Sequence, residues 1–395
     1  MSTQKKVTYQ MIEEAAEALK GTAELTPVVS AARLHPNIFF KAENLQKTGS
    51  FKIRGAFNKI RTLTEEEGSH GVIACSAGNH AQGVALSAAR RGIRSVVCMP
   101  ANAPLLKVNA TKAYGAEVVL VPGCYDDAAE EAEKLSREKG MVLVHPFDDP
   151  YVIAGQGTIG KEIVEQMPDV EQVIVSVGGG GLISGVALAI KTLKPSCRVI
   201  GVQTDGVASM YGSVGMGERI TVMDNPTIAD GIHVLTPGQL TFEMVNEYVD
   251  DIVTVTEEEI SAAIVSLLEG PKIVAEGAGA ATAAAFLSRR VDTTKKTVCI
   301  ISGGNVDIST LTLIVAKGLH KLDRLTTLEM DLPDSTKSLA IVMEVIADSG
   351  ALLIDMQRES DLHSRNINSC HIKFTVETTG REQLLKLKDA LNIKD

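Results

Sequence analysis

The chain has 395 residues, of which 45% are hydrophobic and 22% charged, so it is long enough for two or three domains and too apolar for a disordered chain. Its 39 Lys and Arg against 49 Asp and Glu give a formal net charge of −10, and no basic stripe is present, so nucleic acid is excluded as an expected partner. No apolar run reaches the length of a membrane span, and no membrane role is expected.

The cysteines and the N-terminal residues indicate the cellular location of the protein. Six scattered cysteines, mostly in apolar runs and without a C-x-x-C pair, are typical of reduced thiols in a protein core. The polar first ten residues are followed by no apolar h-region, so a secretory signal is not expected. Together these features predict a cytoplasmic protein.

Short β-branched runs alternate with helical patterns over most of the chain. Such runs lack a period of two, which is typical of strands buried on both faces of a parallel sheet, and the alternation predicts a doubly wound α/β fold. The predicted strands are 72–74, 95–97, 118–121, 173–175, 199–202 and 298–301, and the predicted helices include 81–91, 125–139 and 257–268.

The pattern changes after about residue 325. The remaining residues predict a small α+β domain with the element order β-α-β-β-α. The predicted elements are a strand at 326–331, a helix at 335–348, strands at 351–357 and 370–377, and a helix at 382–391. Pro333 and the polar stretch 359–369 are expected to supply loops.

Lys52 follows the turn Thr48-Gly49-Ser50 at a predicted helix start. A helix N-terminus and neighbouring cations disfavour an ammonium group, so Lys52 is a candidate for a lowered pKa and for Schiff-base chemistry. The alternative is an ordinary surface lysine that follows an N-capping Ser50.

Four consecutive glycines, Gly178, Gly179, Gly180 and Gly181, lie between a predicted strand and the apolar helix that begins near Leu182. Successive N–H groups without Cβ atoms can surround an anion, and the helix N-terminus favours negative charge. The spacing matches neither the dinucleotide nor the nucleoside-triphosphate motif, so a simpler phosphate is predicted. Tight packing of strand on helix is the alternative explanation for one or two of these glycines.

Two further turns follow predicted strands, Ser76-Ala77-Gly78-Asn79-His80 and Ser302-Gly303-Gly304-Asn305. Ligands of open α/β sheets bind where strands lead into helices, so the three turns predict one shared pocket. The first turn offers donors to an anion such as a carboxylate, whereas the alternative is simple N-capping by Ser76 or Asn79.

These motifs occur in the order seen in threonine dehydratases. The sequence resembles the pyridoxal-phosphate-dependent threonine ammonia-lyases of fold type II over about residues 7–321. The motifs that carry the resemblance are 41–56, 76–83, 155–158, 178–182 and 302–305. The implied fold has two open twisted, mostly parallel sheets flanked by helices, and a C-terminal α+β domain similar to ACT domains.

The resemblance implies a role for each matching residue. Lys52 would bind pyridoxal 5'-phosphate covalently as the Schiff-base lysine, Asn79 would hydrogen-bond the phenolic oxygen of the cofactor, and Ser302 would face its pyridine nitrogen. The cofactor phosphate would lie in a backbone cup formed by Gly178, Gly179, Gly180, Gly181 and Leu182. The substrate carboxylate would be received by Ser76, Ala77, Gly78, Asn79 and His80, with His80 contributing its backbone.

The implied reaction converts L-threonine to 2-oxobutanoate and ammonia, and also L-serine to pyruvate. The alternative is a serine racemase or another β-elimination or replacement enzyme of the same fold, such as a cysteine synthase. Serine racemases carry a second Ser where this chain has Ala77, which argues against racemisation. Metal-dependent relatives place an Asp six residues after the first acidic ligand, whereas this chain offers Asp205 and Tyr211, so no metal is predicted.

The resemblance also implies a domain arrangement. Residues 1–50 and 147–320 would form the large cofactor-binding domain, 51–146 a small α/β domain, and 326–395 an ACT-like domain. A homodimer or homotetramer is expected, and the tail is expected to be a packing or dimerisation module, with binding of an amino-acid or nucleotide effector as the alternative. A non-catalytic sensor of amino acids is the other class considered, and the intact Lys52 argues against it.

Overall fold

A computed structural model describes residues 6–359 and 369–393. Contacts within the chain divide it into two compact units, Met1–Asp307 and Ile308–Asp395, and each is described by itself. In the described residues, no helix is both long and apolar enough to span a membrane.

The first unit alternates strands with helices along the chain. Its strands are β1 Val28–Ser30, β2 Ile38–Ala42, β3 Val72–Cys75, β4 Ser95–Pro100, β5 Glu117–Val121, β6 Val142–Leu143, β7 Gln172–Ser176, β8 Arg198–Thr204, β9 Asp251–Val255 and β10 Thr297–Ile301. Its helices are α1 Tyr9–Leu19, α2 Lys52–Arg61, α3 Glu65–His70, α4 Asn79–Arg90, α5 Leu105–Ala113, α6 Tyr125–Lys139, α7 Pro150–Gln166, α8 Gly181–Leu193, α9 Ser209–Met216, α10 Gln239–Tyr248, α11 Glu257–Glu269 and α12 Gly277–Leu287. Short 3₁₀ turns lie at Glu43–Leu45, Asp205–Val207 and Asp230–Ile232.

These strands form two sheets. One has six strands in the order β1-β2-β10-β7-β8-β9, parallel throughout except for the antiparallel edge strand β1. The other has four parallel strands in the order β5-β4-β3-β6. The predicted fold class, two mostly parallel α/β sheets, is confirmed.

The inner strands are apolar because helices cover both of their faces. Every residue of β3, β7 and β10 is buried, which is the reason the sequence shows continuous β-branched runs here rather than alternation. The ends of each predicted strand lie within two residues of those observed, except that β4 ends three residues later than predicted, and the helix predicted at 125–139 matches α6. The helix predicted at 81–91 begins two residues earlier, at Asn79.

Helices α7 and α8 pack closely, because glycines replace side chains at their contact. A Cβ atom on Gly185 would lie 2.2 Å from the carbonyl oxygen of Ile153, and one on Gly157 would lie 2.9 Å from that of Gly185. Since backbone atoms cannot move aside as side chains do, these positions admit only glycine. The turn at Gly178–Gly181 leads directly into this packed helix pair, because α8 begins at Gly181.

The second unit is an α+β fold. It contains α13 Ile308–Lys321, β11 Leu325–Pro333, α14 Thr336–Asp348, β12 Leu352–Glu359, β13 Ser369–Glu377 and α15 Arg381–Ala390. The strands form an antiparallel sheet in the order β11-β13-β12, and from β11 onward the predicted order β-α-β-β-α is confirmed. Pro333, predicted in a loop, is the last residue of β11. Of the predicted loop 359–369, Glu359 belongs to β12 and Ser369 to β13, and 360–368 lie outside the described residues.

One prediction about the cysteines is wrong. Cys75, Cys98, Cys197, Cys299 and Cys370 are buried free thiols, as expected. Cys124, in contrast, is exposed. It immediately precedes α6, so its position in a loop rather than in an apolar run decides its exposure.

Candidate active site

Lys52 is the first residue of α2, and it points back toward the segment between β6 and α7. Its Nζ donates a hydrogen bond of 2.9 Å to the carbonyl oxygen of Pro146. The N-cap position is occupied by Phe51, whose side chain makes no capping bond, and the buried Ser50 Oγ has no partner among the described residues. The alternative of a surface lysine capped by Ser50 is therefore wrong.

The surroundings of Lys52 disfavour its charged form. Loss of hydration lowers the pKa of Lys52 to about 8, although the carboxyl group of Glu276 acts in the opposite direction. The neutral amine at pH 7 is therefore about 300-fold more abundant than in a lysine with the ordinary pKa. A neutral lysine is a nucleophile and a base.

The glycine loop 178–181 has structural reasons for its composition. A Cβ atom on Gly179 would lie 2.4 Å from the ring of Phe147, and one on Gly181 would lie 2.7 Å from the carbonyl oxygen of Phe147. Gly180 has a φ of 96°, in the left-handed region that favours glycine. Packing therefore accounts for more of these glycines than the sequence analysis allowed.

The same loop presents unpaired donors. The backbone N–H groups of Gly178 to Leu182 have no acceptor within the described part of the chain, and the last of them lie at the N-terminus of α8. Unpaired N–H groups and the helix dipole together favour an anion. The donor set therefore fits a phosphate group, because a phosphate has several oxygens that accept hydrogen bonds and needs no acceptor in return.

The turn at Ser76–His80 begins α4. Gly78, rather than Ser76 or Asn79, occupies the N-cap, so the predicted capping role of those two side chains is wrong. Ser76 Oγ instead accepts a hydrogen bond of 3.1 Å from the N–H of Gly78. The N–H groups of Ala77, Asn79 and His80 find no acceptor in the described residues, which makes a second set of donors at a helix N-terminus.

The side chain of His80 also has a role, which the sequence analysis did not predict. The buried ring lies with Nε2 2.8 Å from the carbonyl oxygen of Val144, so Nε2 carries the hydrogen. Loss of hydration, with an added effect of Lys52, lowers the pKa of His80 to about 3 and keeps the ring neutral. Its Nδ1 is a buried acceptor with no partner among the described residues.

Asn79 links the turn at 76–80 to the turn at 302–305. Its Nδ2 donates to Glu276 Oε1 at 2.7 Å, and its Oδ1 accepts from Asn305 Nδ2 at 2.7 Å. Asn305 Nδ2 also donates to the carbonyl oxygen of Thr48, at 2.8 Å. The turns that follow β3 and β10 are thus joined by side chains.

Ser302 follows β10 and is buried. Its carbonyl oxygen accepts a hydrogen bond of 3.0 Å from the N–H of Phe51, the residue before Lys52. Lys52 also contacts Pro146, whose neighbour Phe147 covers Gly179 and Gly181. The structure therefore brings together all three turns and Lys52, as the prediction of one shared pocket requires.

Sequence reasoning missed Glu276, which is 5% exposed and lies beside Asn79. The signal was present, because Glu276 is the one charged residue between Lys272 and Arg289 in an otherwise apolar stretch. A carboxyl group in such a stretch is costly to bury, so its presence indicates a specific partner.

The motif at residues 155–158 supports α2 rather than lining the turns. Gln156 Oε1 accepts a hydrogen bond of 3.1 Å from the N–H of Gly55, and Thr158 Oγ1 accepts one of 3.0 Å from Arg54 Nη1. These bonds hold α7 against the helix that begins with Lys52.

No group of three or more His, Cys, Asp or Glu side chains in the described residues is arranged to hold a metal ion. Asp205 lies in a 3₁₀ turn, and Tyr211 lies in α9 with its side chain about half exposed.

Comparisons with known proteins indicate the family and the cofactor. Residues 20–303 match the family of pyridoxal-phosphate dependent enzymes. The chain is 46% identical over 392 residues to an L-threonine ammonia-lyase of Thermotoga maritima, which covers 98% of both chains. A threonine deaminase from Solanum lycopersicum matches with a TM-score of 0.75 and 37% identity, covering 80% of this chain and 96% of that one. A maize serine racemase matches equally, at 0.75 and 37%, covering 80% and 99%.

The chain belongs to the family of pyridoxal-phosphate dependent enzymes. Its cofactor is pyridoxal 5'-phosphate. The donor set at the glycine loop and the half-buried lysine nearby fit this cofactor, because phosphate oxygens accept hydrogen bonds from N–H donors and an aldehyde reacts with a neutral amine.

The lowered pKa of Lys52 is testable in the cofactor-free protein. Trace acetylation, read by mass spectrometry of the Lys52 peptide, should accelerate with pH to a midpoint of about 8, because only the neutral amine reacts. Free Nα-acetyl-lysine, measured in the same tubes, serves as the control with an ordinary pKa of about 10.4. Equal midpoints for the two amines would show that burial does not perturb Lys52.

Proposed function

We propose that this protein is a threonine ammonia-lyase, which deaminates L-threonine to 2-oxobutanoate and ammonia, and L-serine to pyruvate. The observation that carries the proposal is the half-buried Lys52 beside two helix N-termini with unpaired backbone donors. The high identity to an L-threonine ammonia-lyase over nearly the full chain supports the choice of substrate.

The proposed cofactor contacts follow from the donors described above. Lys52 Nζ would hold the cofactor covalently, and the N–H groups of Gly178, Gly179, Gly180, Gly181 and Leu182 would hold its phosphate. Asn79 would donate to its phenolic oxygen, and Ser302 would face its ring nitrogen. A hydroxyl partner cannot hold that nitrogen protonated as a carboxylate would, which favours loss of the β-hydroxyl over transamination.

The second set of donors suits the substrate. Ser76 and the backbone of Ala77, Gly78, Asn79 and His80 would bind its carboxylate, because unpaired N–H groups at the start of α4 favour an anion. The substrate is thereby fixed at one end, with its Cα toward Lys52. Such positioning removes the entropy cost of bringing the reacting atoms together.

Lys52 then moves the proton. When bound, the cofactor withdraws electrons from the substrate Cα and so stabilises the negative charge that forms there. The amino group of the substrate would displace Lys52 Nζ from the cofactor, and the released amine, whose lowered pKa makes its neutral form more abundant, would take the proton from Cα. Phe147 packs against Gly179 and Gly181 on this side of the site.

The first test of this function is turnover of L-threonine. The wild-type protein should release 2-oxobutanoate and ammonia and should show a visible absorption band of bound cofactor. Lys52→Ala should lose the band and lower turnover by at least about a hundredfold, because the base is removed. Lys59→Ala, on the same helix, is the control and should keep both. Turnover that survives in Lys52→Ala would refute the role of this lysine.

A serine racemase is the second candidate, because chains of that activity match this fold equally well. Racemisation needs an acid on the face of the substrate opposite to Lys52, and Ala77 has no proton to exchange. The methyl group of Ala77 therefore supports the lyase.

The lack of an exchangeable proton on Ala77 predicts the effect of Ala77→Ser. With L-serine, the wild-type protein should form pyruvate much faster than D-serine. The variant should raise the ratio of D-serine to pyruvate by at least about tenfold, since a positioned acid or base contributes factors of this size or more. Chiral chromatography measures both products from one reaction, so the ratio needs no correction for the amount of active enzyme. An unchanged ratio would remove Ala77 as the determinant of reaction type.

The remaining proposals concern organisation. Residues 1–50 and 147–320 are proposed as the cofactor-binding domain, 51–146 as the small domain, and 326–395 as an ACT-like domain. The protein is proposed to be a cytoplasmic homodimer or homotetramer whose C-terminal domain packs or dimerises. An amino-acid or nucleotide effector is the second proposed role of that domain.

Truncation after Lys321 tests these roles. If the domain dimerises, the truncated protein should have a smaller mass by light scattering, with cofactor binding retained. If the domain binds an effector, the response of turnover to added amino acids or nucleotides should disappear. Unchanged mass and unchanged ligand responses would contradict both roles.

A further inference from the structure

Glu276 precedes α12 and occupies its N-cap position, yet its side chain makes no capping bond to that helix. The carboxyl group is held in a space bordered by backbone. A Cβ atom on Gly303 would lie 2.4 Å from Glu276 Oε1, and one on Gly231 would lie 3.5 Å from it. The side chain therefore serves something other than the start of its own helix.

The hydrogen-bond partner of Glu276 is Asn79. The direction of their bond follows from three linked hydrogen bonds, which start at the carbonyl oxygen of Thr48. The carbonyl oxygen of Thr48 can only accept, so the atom of Asn305 that contacts it is Nδ2. Asn305 Nδ2 also meets Asn79, so that atom of Asn79 is Oδ1. Asn79 Nδ2 must then face Glu276, at 2.7 Å, where the carboxyl oxygen accepts.

We propose that Glu276 is a positioning residue that fixes the Asn79 carboxamide, with one Nδ2–H bound to Glu276 Oε1 and the second left to donate to the phenolic oxygen of the cofactor. This inference rests on the proposed function. Glu276 would affect the hydrogen bond to the cofactor only through Asn79, and it would not contact the substrate.

The charges that face Glu276 determine when it ionises. Burial, with an added effect of Asp230, raises the pKa of Glu276 to about 8, whereas the bond from Asn79 and the cations Lys107 and Lys52 act in the opposite direction. Lys107 is itself paired with Asp230 at 2.7 Å. Glu276 is therefore mostly protonated at pH 7 and gains a negative charge as the pH rises through about 8. Either form can accept from Asn79 through Oε1.

Two substitutions separate orientation from charge. Glu276→Gln keeps an acceptor oxygen but cannot ionise, whereas Glu276→Ala removes the acceptor. Glu259→Gln is the matched control, because Glu259 is an acidic residue of α11 in the same unit that bonds its own helix start. The full-length protein with bound pyridoxal phosphate is used throughout, and its melting temperature is recorded for every variant.

The readouts are the visible absorption band of the cofactor from about pH 6.5 to 9.5 and the dissociation constant of pyridoxal phosphate. The wild-type band should shift with a midpoint near pH 8, and Glu276→Gln should lose this shift while binding the cofactor within about threefold of wild type. Glu276→Ala should weaken cofactor binding by about tenfold, the size expected for one lost hydrogen bond to a buried group. Glu259→Gln should match wild type in both readouts.

The outcomes are separable. A band that shifts in Glu276→Gln as in wild type, or an unchanged dissociation constant in Glu276→Ala, overturns the inference. If Glu276→Ala fails to fold, Glu276→Gln alone decides, because it keeps the acceptor. A wild-type protein that neither binds pyridoxal phosphate nor deaminates threonine overturns the proposed function. If the wild type does both and the Glu276 variants behave like it in both readouts, only this inference is overturned.

Discussion

The buried ion pairs of Arg54 hold the helix on which the site depends. Arg54 Nε and Nη2 each donate to a different oxygen of Glu43 at 2.8 Å, and its Nη1 donates to Glu162, which also accepts from Lys41 at 2.6 Å. Charges this deeply buried are stable only as a complete set, since removal of one partner costs about 3–5 kcal/mol. Arg54 lies two residues after Lys52, so the network fixes the start of α2 and with it the reacting amine.

A second constraint comes from the segment 144–148 between β6 and α7. Its carbonyl oxygens accept from His80 and Lys52, and its Phe147 ring covers the glycine loop 178–181. Asp148 accepts from the N–H groups that begin α10. One short segment therefore contacts Lys52, α4, the glycine loop 178–181 and α10, and it ties these parts of the site together.

The sequence predicted features that local patterns determine. The buried strands, the order of the C-terminal elements and the three turns all follow from runs of apolar residues and from glycine next to a strand. Contacts between distant residues were not predictable from such patterns. Glu276 and Asn79 are 197 positions apart. The capping alternatives for Ser50 and Ser76 failed because Phe51 and Gly78 occupy the N-cap positions of α2 and α4. The lone charge of Glu276 in an apolar stretch was the one local sign of a long-range contact.

Burial moves three ionisable groups of the site toward their neutral forms. It lowers the pKa of Lys52 and of His80, and it raises that of Glu276. A site with little fixed positive charge cannot bind a phosphate and a carboxylate through ion pairs. The unpaired N–H groups at the starts of α4 and α8 supply the compensating donors instead, because backbone dipoles neither titrate nor pay the desolvation cost of a buried cation. Anion binding by backbone thus leaves Lys52 free to lose its proton, which a base at the substrate Cα requires.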